Sequence, residues 1–255
     1  MKKIKLLLVL CLLMGAVFVN DIRAQEAEQS NMFLLMEEFV APSDLAQFWA
    51  AQDEALEKMD ELEMKITFYA YQTDDNSFYW AIPIKNFAGI DDFFAGMWNA
   101  NKLLMENGYD SKAKFRDLSN ISLSVVALNP ALGYKPAQME DTGESRNFNE
   151  WAFVYLKSGH EKEAAEVMQQ FIDFYKKENI NYEWEVYEVV FGEHTPCWII
   201  ESQAANEAAL RKQELELHEK YGKDFEKMWM DFVSHVRTIE TKKGWFLSQW
   251  SRSGE

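Results

Sequence analysis

A carboxylate set among apolar strand residues needs a partner, and Glu188 stands in that position. In the stretch WEVYEVVFG, alternation puts Glu188 on one face with Trp184, Val186 and Val190. A buried carboxylate without a partner rises in pKa by desolvation, which suits a general base or a cation-binding group. Glu201, which shares a strand face with Ile199, raises the same question. Tyr69, Tyr71, Tyr79 and Tyr187 take the opposite hairpin faces from Phe68, Trp80 and Trp184. Buried tyrosine hydroxyls either find partners or border a cavity, and an apolar pocket with a few hydroxyls can take a small molecule. Packing between two sheets is the other reading of the same pattern. The candidate ligand site is therefore Glu188, Trp184, Tyr187, Tyr69 and Tyr71, with Glu188 facing a cavity near the second hairpin.

The remaining reactive side chains point elsewhere. His160 opens a helix and His194 sits in a hairpin turn, both positions that suit exposed turn residues. Glu214 and His218 share one helix face by their spacing, but the surrounding EAALRKQELELHEK is charged throughout and reads as a solvated face. His235 lies at the edge of an apolar helix. Cys197, beside Trp198 in a strand pattern, reads as a small buried residue. There is no Gly-rich phosphate loop, G-x-S-x-G elbow, H-E-x-x-H run or cysteine pair. No catalytic residue and no metal ligand is assigned, and the cofactor is left open.

The elements that must position these residues occur twice. One hairpin is Met64–Ile84 and the other is Tyr182–Ser202. A constant offset of 118 residues lays Tyr69 on Tyr187, Phe68 on Val186, Trp80 on Trp198 and Ile82 on Ile200. Met32–Val40 reads as a strand, and Ser43–Leu62 as an amphipathic helix carrying Leu45, Phe48, Trp49, Leu56 and Met59. After the first hairpin come a helix over Ile90–Met105, a possible short helix over Asp110–Leu118 and a strand over Ile121–Leu128. Asn129–Asn149, with Pro130, Gly133, Pro136 and Gly143, is the linker. The order then returns: a strand over Trp151–Leu156, a helix over Glu161–Lys177 and the second hairpin. Two helices, Asn206–Tyr221 and Asp224–Val236, and a last strand over Trp245–Trp250 complete the chain.

Each half reads β-α-β-β-α-β, the order of the ferredoxin-like unit. That unit makes an antiparallel sheet with helices on one face, and a second copy can cover the open face. The chain resembles the dimeric α+β barrel superfamily, which includes antibiotic-biosynthesis monooxygenase-like and NIPSNAP-like domains, here with both units in one chain. The resemblance rests on element order and duplication over most of residues 32–250. It implies an α+β fold of tandem ferredoxin-like units forming a pseudo-dimeric barrel. Members of the superfamily include cofactor-free oxygenases, haem-handling enzymes and non-enzymatic binders, and no catalytic motif carries over.

Residues 1–24 read as a signal peptide: a basic start, an apolar run over Leu6–Val19 and a small residue, Ala24, before Gln25. The expected divisions are 1–24 as leader, 25–128 as first unit, 129–149 as linker and 150–255 as second unit. The leader carries a net +3 (Lys2, Lys3, Lys5 and Arg23 against Asp21), so the mature chain carries −19 against −16 for the whole. Such a charge repels nucleic acid and disfavours anionic membranes. Cleavage leaves no membrane span and only Cys197, so no intramolecular disulfide can form. The expectation is a periplasmic or secreted, non-catalytic protein that binds a small ligand or partner and can form a homo-oligomer. The alternative is a cofactor-free or haem-assisted oxygenase of the barrel type.

Overall fold

Strands β1 (Met32–Val40), β2 (Tyr69–Thr73), β3 (Ser77–Ile84) and β4 (Ser119–Leu128) come from the first half of the chain. Strands β5 (Phe148–Leu156), β6 (Glu185–Phe191), β7 (Cys197–Ala204) and β8 (Val236–Phe246) come from the second. The computed structural model describes residues 31–136, 146–193 and 195–254, so the leader expected over residues 1–24, and His194, fall outside the described residues. The eight strands close into one antiparallel barrel in the order β1-β3-β2-β8-β5-β7-β6-β4. The first half thus contributes the run β4-β1-β3-β2 and the second the matching run β8-β5-β7-β6. Closure leaves no free sheet edge for most of the strand length, which removes the usual hazard of unpaired backbone.

The hairpin register repeats with the sequence offset. Tyr69 pairs with Ala81 and Ala70 with Trp80, while Tyr187 pairs with Ile199 and Glu188 with Trp198. The halves meet along two short seams, β2 with β8 and β4 with β6. At the first seam Thr73 pairs with Gly244. A Cβ on Gly244 would lie 2.5 Å from both the Gln72 carbonyl and the Trp151 ring, so only glycine lets the seam close with Trp151 lying across it.

Helices α1 (Leu45–Glu61), α2 (Ala88–Glu106), α3 (Ser111–Lys114), α4 (Glu161–Glu178) and α5 (Glu207–Ser234) accompany the strands. Two cores fill the space between sheet and helices. In the first half Leu34, Phe48, Phe78, Trp80, Val125 and Trp250 are buried together. In the second half Val154, Val167, Met168, Trp184, Val186, Trp198 and Phe232 do the same. Much of the outward face of the strands is therefore apolar and covered by helices, and the inward face is free to be something else.

Two elements differ from the sequence expectation. The region read as two helices is one helix, α5, because Gly222 sits against the His218 ring inside a continuous run and costs about 1 kcal/mol rather than a break. The last strand is β8, not Trp245–Trp250. Its residues Thr238, Glu240 and Lys242 pair with Tyr155, Phe153 and Trp151 and so share the inward face. That face is polar, and the apolar alternation that marks a strand is missing. Trp250 lies beyond β8, stacked on Trp80 at 5.9 Å with its Nε1 donating to Asp53 at 2.7 Å. The described part of the linker is also ordered into the core: Tyr134 pairs with Trp184, and its hydroxyl donates to the Ile180 carbonyl at 3.0 Å.

Candidate active site in the barrel lumen

A cavity of about 340 Å³ occupies the barrel interior. Seven strands line it, each with alternate residues. β1 gives Phe33 and Leu35, β2 Tyr69 and Tyr71, and β3 Tyr79 and Ala81. β4 gives Val126, β5 Trp151 and Phe153, β6 Glu185 and Tyr187, and β7 Ile199, Glu201 and Gln203. The volume suits a ligand of a few fused or linked rings. Trp151 forms the floor: Tyr71 meets it edge-on at 5.4 Å and Tyr79 lies 6.1 Å away. Phe33 and Tyr187 close the side, edge to face at 6.2 Å.

One end of the lumen is held by charge. Lys242 lies 2.7 Å from Glu37 and 3.0 Å from Asp75, with its ammonium 5.2 Å from the Tyr79 ring centre. The Tyr79 hydroxyl donates to Glu37 at 2.7 Å. Burial pushes Glu37 upward, but the Lys242 and Tyr79 hydrogen bonds outweigh it and hold the carboxyl below its usual range. The opposite end is open, since Tyr69 and Glu185 both reach solvent.

Glu201 is the chemically distinctive residue. It is buried, at 6% exposure, and faces the lumen from the middle of β7. Burial raises its carboxyl to about 7, opposed by the Gln203 amide and reinforced by the charge of Glu185, with the Trp151 indole as a further opposing donor. The Gln203 contact is long, at 3.3 Å. Glu185 is the direct cross-strand partner of Glu201 and takes the Tyr187 hydroxyl at 2.6 Å. Two carboxyls placed opposite one another on a strand pair repel, which helps keep a proton on the buried one. Burial, and then the charges of Glu201 and Glu185, push the Tyr71 phenol well above its ordinary value. Among the described residues the Tyr71 hydroxyl donates to no protein group, so it is a free donor aimed into an aromatic cavity that also holds a base.

Three of the five residues singled out by sequence, Tyr69, Tyr71 and Tyr187, line this lumen. Glu188 and Trp184 do not. Alternation grouped them correctly with Val186, but that face is the outer one, packed under helices. Trp184 is buried there, its Nε1 donating to the Leu132 carbonyl at 2.9 Å. Glu188 accepts from Asn129 Nδ2 at 2.8 Å and is half-buried. The buried carboxylate of the cavity is Glu201, the second of the two glutamates that strand alternation singles out. Glu185, Gln203, Trp151 and Phe153 went unassigned, although each sits at the parity that alternation gives Tyr187, Glu201 and Tyr155 on its own strand.

The other reactive groups stay outside the lumen. His160 and His235, read separately from sequence, come together with their Nδ1 atoms 3.0 Å apart. Cys197 is buried and its thiol is pushed up to about 12, chiefly by burial, which leaves it unreactive. Among the described residues no group of three or more His, Cys, Asp or Glu can hold a metal ion, and no helix is long and apolar enough to cross a membrane. The lumen does not fit a haem either. None of its lining residues is His, Cys or Met, and burial drives the Tyr71, Tyr79 and Tyr187 phenols away from the phenolate that iron would need.

No family model and no curated protein matches the chain. Solved structures do. An anthrone oxidase-like protein is 12% identical, with a TM-score of 0.55 over 87% of this chain and 93% of its own. A monooxygenase candidate from Fusobacterium nucleatum is 14% identical, with a TM-score of 0.51 over 87% and 94%. Another from Lactobacillus acidophilus is 9% identical, with a TM-score of 0.51 over 85% and 94%. At these identities the likeness is one of fold, and the fold is the α+β barrel. The comparison corrects the expectation of a non-catalytic binder: the three similar structures are named as two monooxygenase candidates and an anthrone oxidase-like protein.

Proposed function

We propose that this protein is a cofactor-independent oxygenase whose reaction occurs in the barrel lumen, with Glu201 as general base and the Tyr71 hydroxyl as donor to the oxygen of the substrate anion. The observation that carries the reading is Glu201 itself, buried in an aromatic cavity with its carboxyl raised to about 7. A base is most useful when its pKa lies near the working pH. The names of the fold relatives support the same reading and suggest its first substrate to try, an anthrone.

The chemistry needs no bound cofactor. The Glu201 carboxylate removes a proton from a carbon conjugated to a carbonyl, as the ring CH2 of an anthrone is. Charge then delocalises onto the substrate oxygen, where Tyr71 donates a hydrogen bond. The electron-rich anion passes one electron to O2, and the radical pair joins into a peroxide anion, which takes the proton back from Glu201 to become a hydroperoxide. Loss of water leaves a new carbonyl. In sum a CH2 group and O2 become C=O and H2O, so atoms and electrons balance with no added reductant. Trp151, Tyr79 and Phe153 hold the rings and exclude water from the anion.

We also read the two halves as ferredoxin-like units joined in one chain, each continuing its neighbour's sheet. The repeated hairpin register and the matching strand runs support this.

An oxygen electrode tests the activity. Purified protein with anthrone and no additive is expected to consume one O2 for each anthrone converted to anthraquinone, without a cofactor absorption band. Uptake no faster than the uncatalysed rate in buffer contradicts the proposal.

A further inference from the structure

The charged groups lining the lumen are all of one sign. Glu201 lies at depth and Glu185 at the open end, opposite each other on paired strands. No Lys, Arg or His is among the lining residues, and Lys242 is taken up by Glu37 and Asp75. Around the two carboxyls stand the rings of Phe33, Tyr69, Tyr71, Trp151 and Tyr187. A cavity of this make repels a carboxylate or phosphate, because nothing in its wall neutralises one. It attracts an organic cation, which gains from ring faces and carboxylates together.

We propose that the substrate is an amine-bearing aromatic, with its ammonium seated between Glu185 and Glu201 and its ring carried inward over Trp151. This rests on the oxygenase reading for the word substrate, whereas the amine preference stands on the lumen alone. The geometry gives the ammonium a second task. The proton now held on Glu201 relieves its repulsion with Glu185, and a bound ammonium relieves it instead. Binding therefore releases that proton and leaves Glu201 as the carboxylate that a base must be. The other titratable groups facing it are Tyr187 from β6, Tyr69 and Tyr71 from β2 and Tyr79 from β3, all phenols. β1, β4 and β5 contribute no titratable lining group. Glu201 is thus the group that loses the proton near neutrality.

Calorimetry with three probes of one ring system tests this: tyramine, N-acetyltyramine and 3-(4-hydroxyphenyl)propionate. Tyramine is expected to bind about tenfold or more tighter than its N-acetyl form, with the acid weakest. At pH 7, titrations in buffers of different ionisation enthalpy should report proton release with tyramine and none with N-acetyltyramine. Glu185→Gln, at an exposed position, should bring tyramine down to the N-acetyl level. Equal binding of the three, tighter binding of the acid, or no binding by any of them overturns the inference. Anthrone oxidation without amine preference removes this inference and leaves the oxygenase. Amine preference without oxygen uptake does the reverse.

Discussion

Replacing Glu201 by Gln is expected to lower oxygen-dependent turnover by about 10²- to 10⁴-fold, the usual worth of a positioned general base. The amide keeps the shape and can still meet Gln203, so the barrel should form. Stability gives an independent readout of the same residue. The folded carboxyl titrates at about 7 and its ordinary value is 4.5, so the folded state binds its proton more tightly. The stabilisation from that proton is complete below about pH 4.5 and is lost as pH rises through 7. It amounts to roughly 3 kcal/mol. Glu37 and Asp75, held below their usual values, act in the opposite sense at lower pH, and the substitution leaves them in place. Denaturant titrations should therefore show wild type losing stability between pH 5 and pH 8 relative to Glu201→Gln. Unchanged turnover, or parallel stability profiles, would remove Glu201 from the mechanism.

The largest stability effect is expected at Trp250. This residue, 1% exposed, lies outside the regular strands, yet it stacks on Trp80 and sits 4.3 Å from the Trp49 ring and 5.5 Å from Phe78. Its indole also donates to Asp53 on α1. Two residues on, Arg252 makes a two-pronged pair with Asp60 and exchanges backbone hydrogen bonds with Phe68. The chain after β8 thus fastens α1 onto the first-half sheet, although it follows the second half in sequence. Trp250→Ala should cost about 3–5 kcal/mol, as large core deletions do. Thermal melts should show a cooperative loss of the whole barrel, because the first-half sheet supplies half of the closed ring. A loss below about 1 kcal/mol would mean that the C-terminal segment does not hold that core.

Why some of this was legible in the sequence and some was not follows from the two faces of each strand. The hairpins were plain because both faces are rich in aromatic and branched residues, and the offset between them carried straight into the register. Tyr69, Tyr71 and Tyr187 were found for the same reason. Glu188 misled because alternation assigns partners to a face and cannot say which face points inward. Only closure of the barrel decides that, and closure is a long-range property of the β2–β8 and β4–β6 seams. Glu201 shares its strand face with Ile199, and that pairing alone does not show that this is the face turned into the barrel. β8 was misplaced because its polar residues face the lumen, where Lys242 and Glu240 meet Glu37 and Tyr155. Trp250 looked like strand and instead serves as a plug. In each case the missing information was what lay across the barrel, which no local window contains.

Infrared difference spectroscopy on the carboxyl of Glu201 tests the central claim most directly. The spectrum of wild type at pH 6 minus that at pH 8 should contain a protonated-carboxyl band with a midpoint near 7, absent from Glu201→Gln and shifted on binding of a lumen ligand. A Glu201 carboxyl already ionised at pH 5, or a band that no lumen ligand perturbs, would contradict a buried base waiting in the barrel.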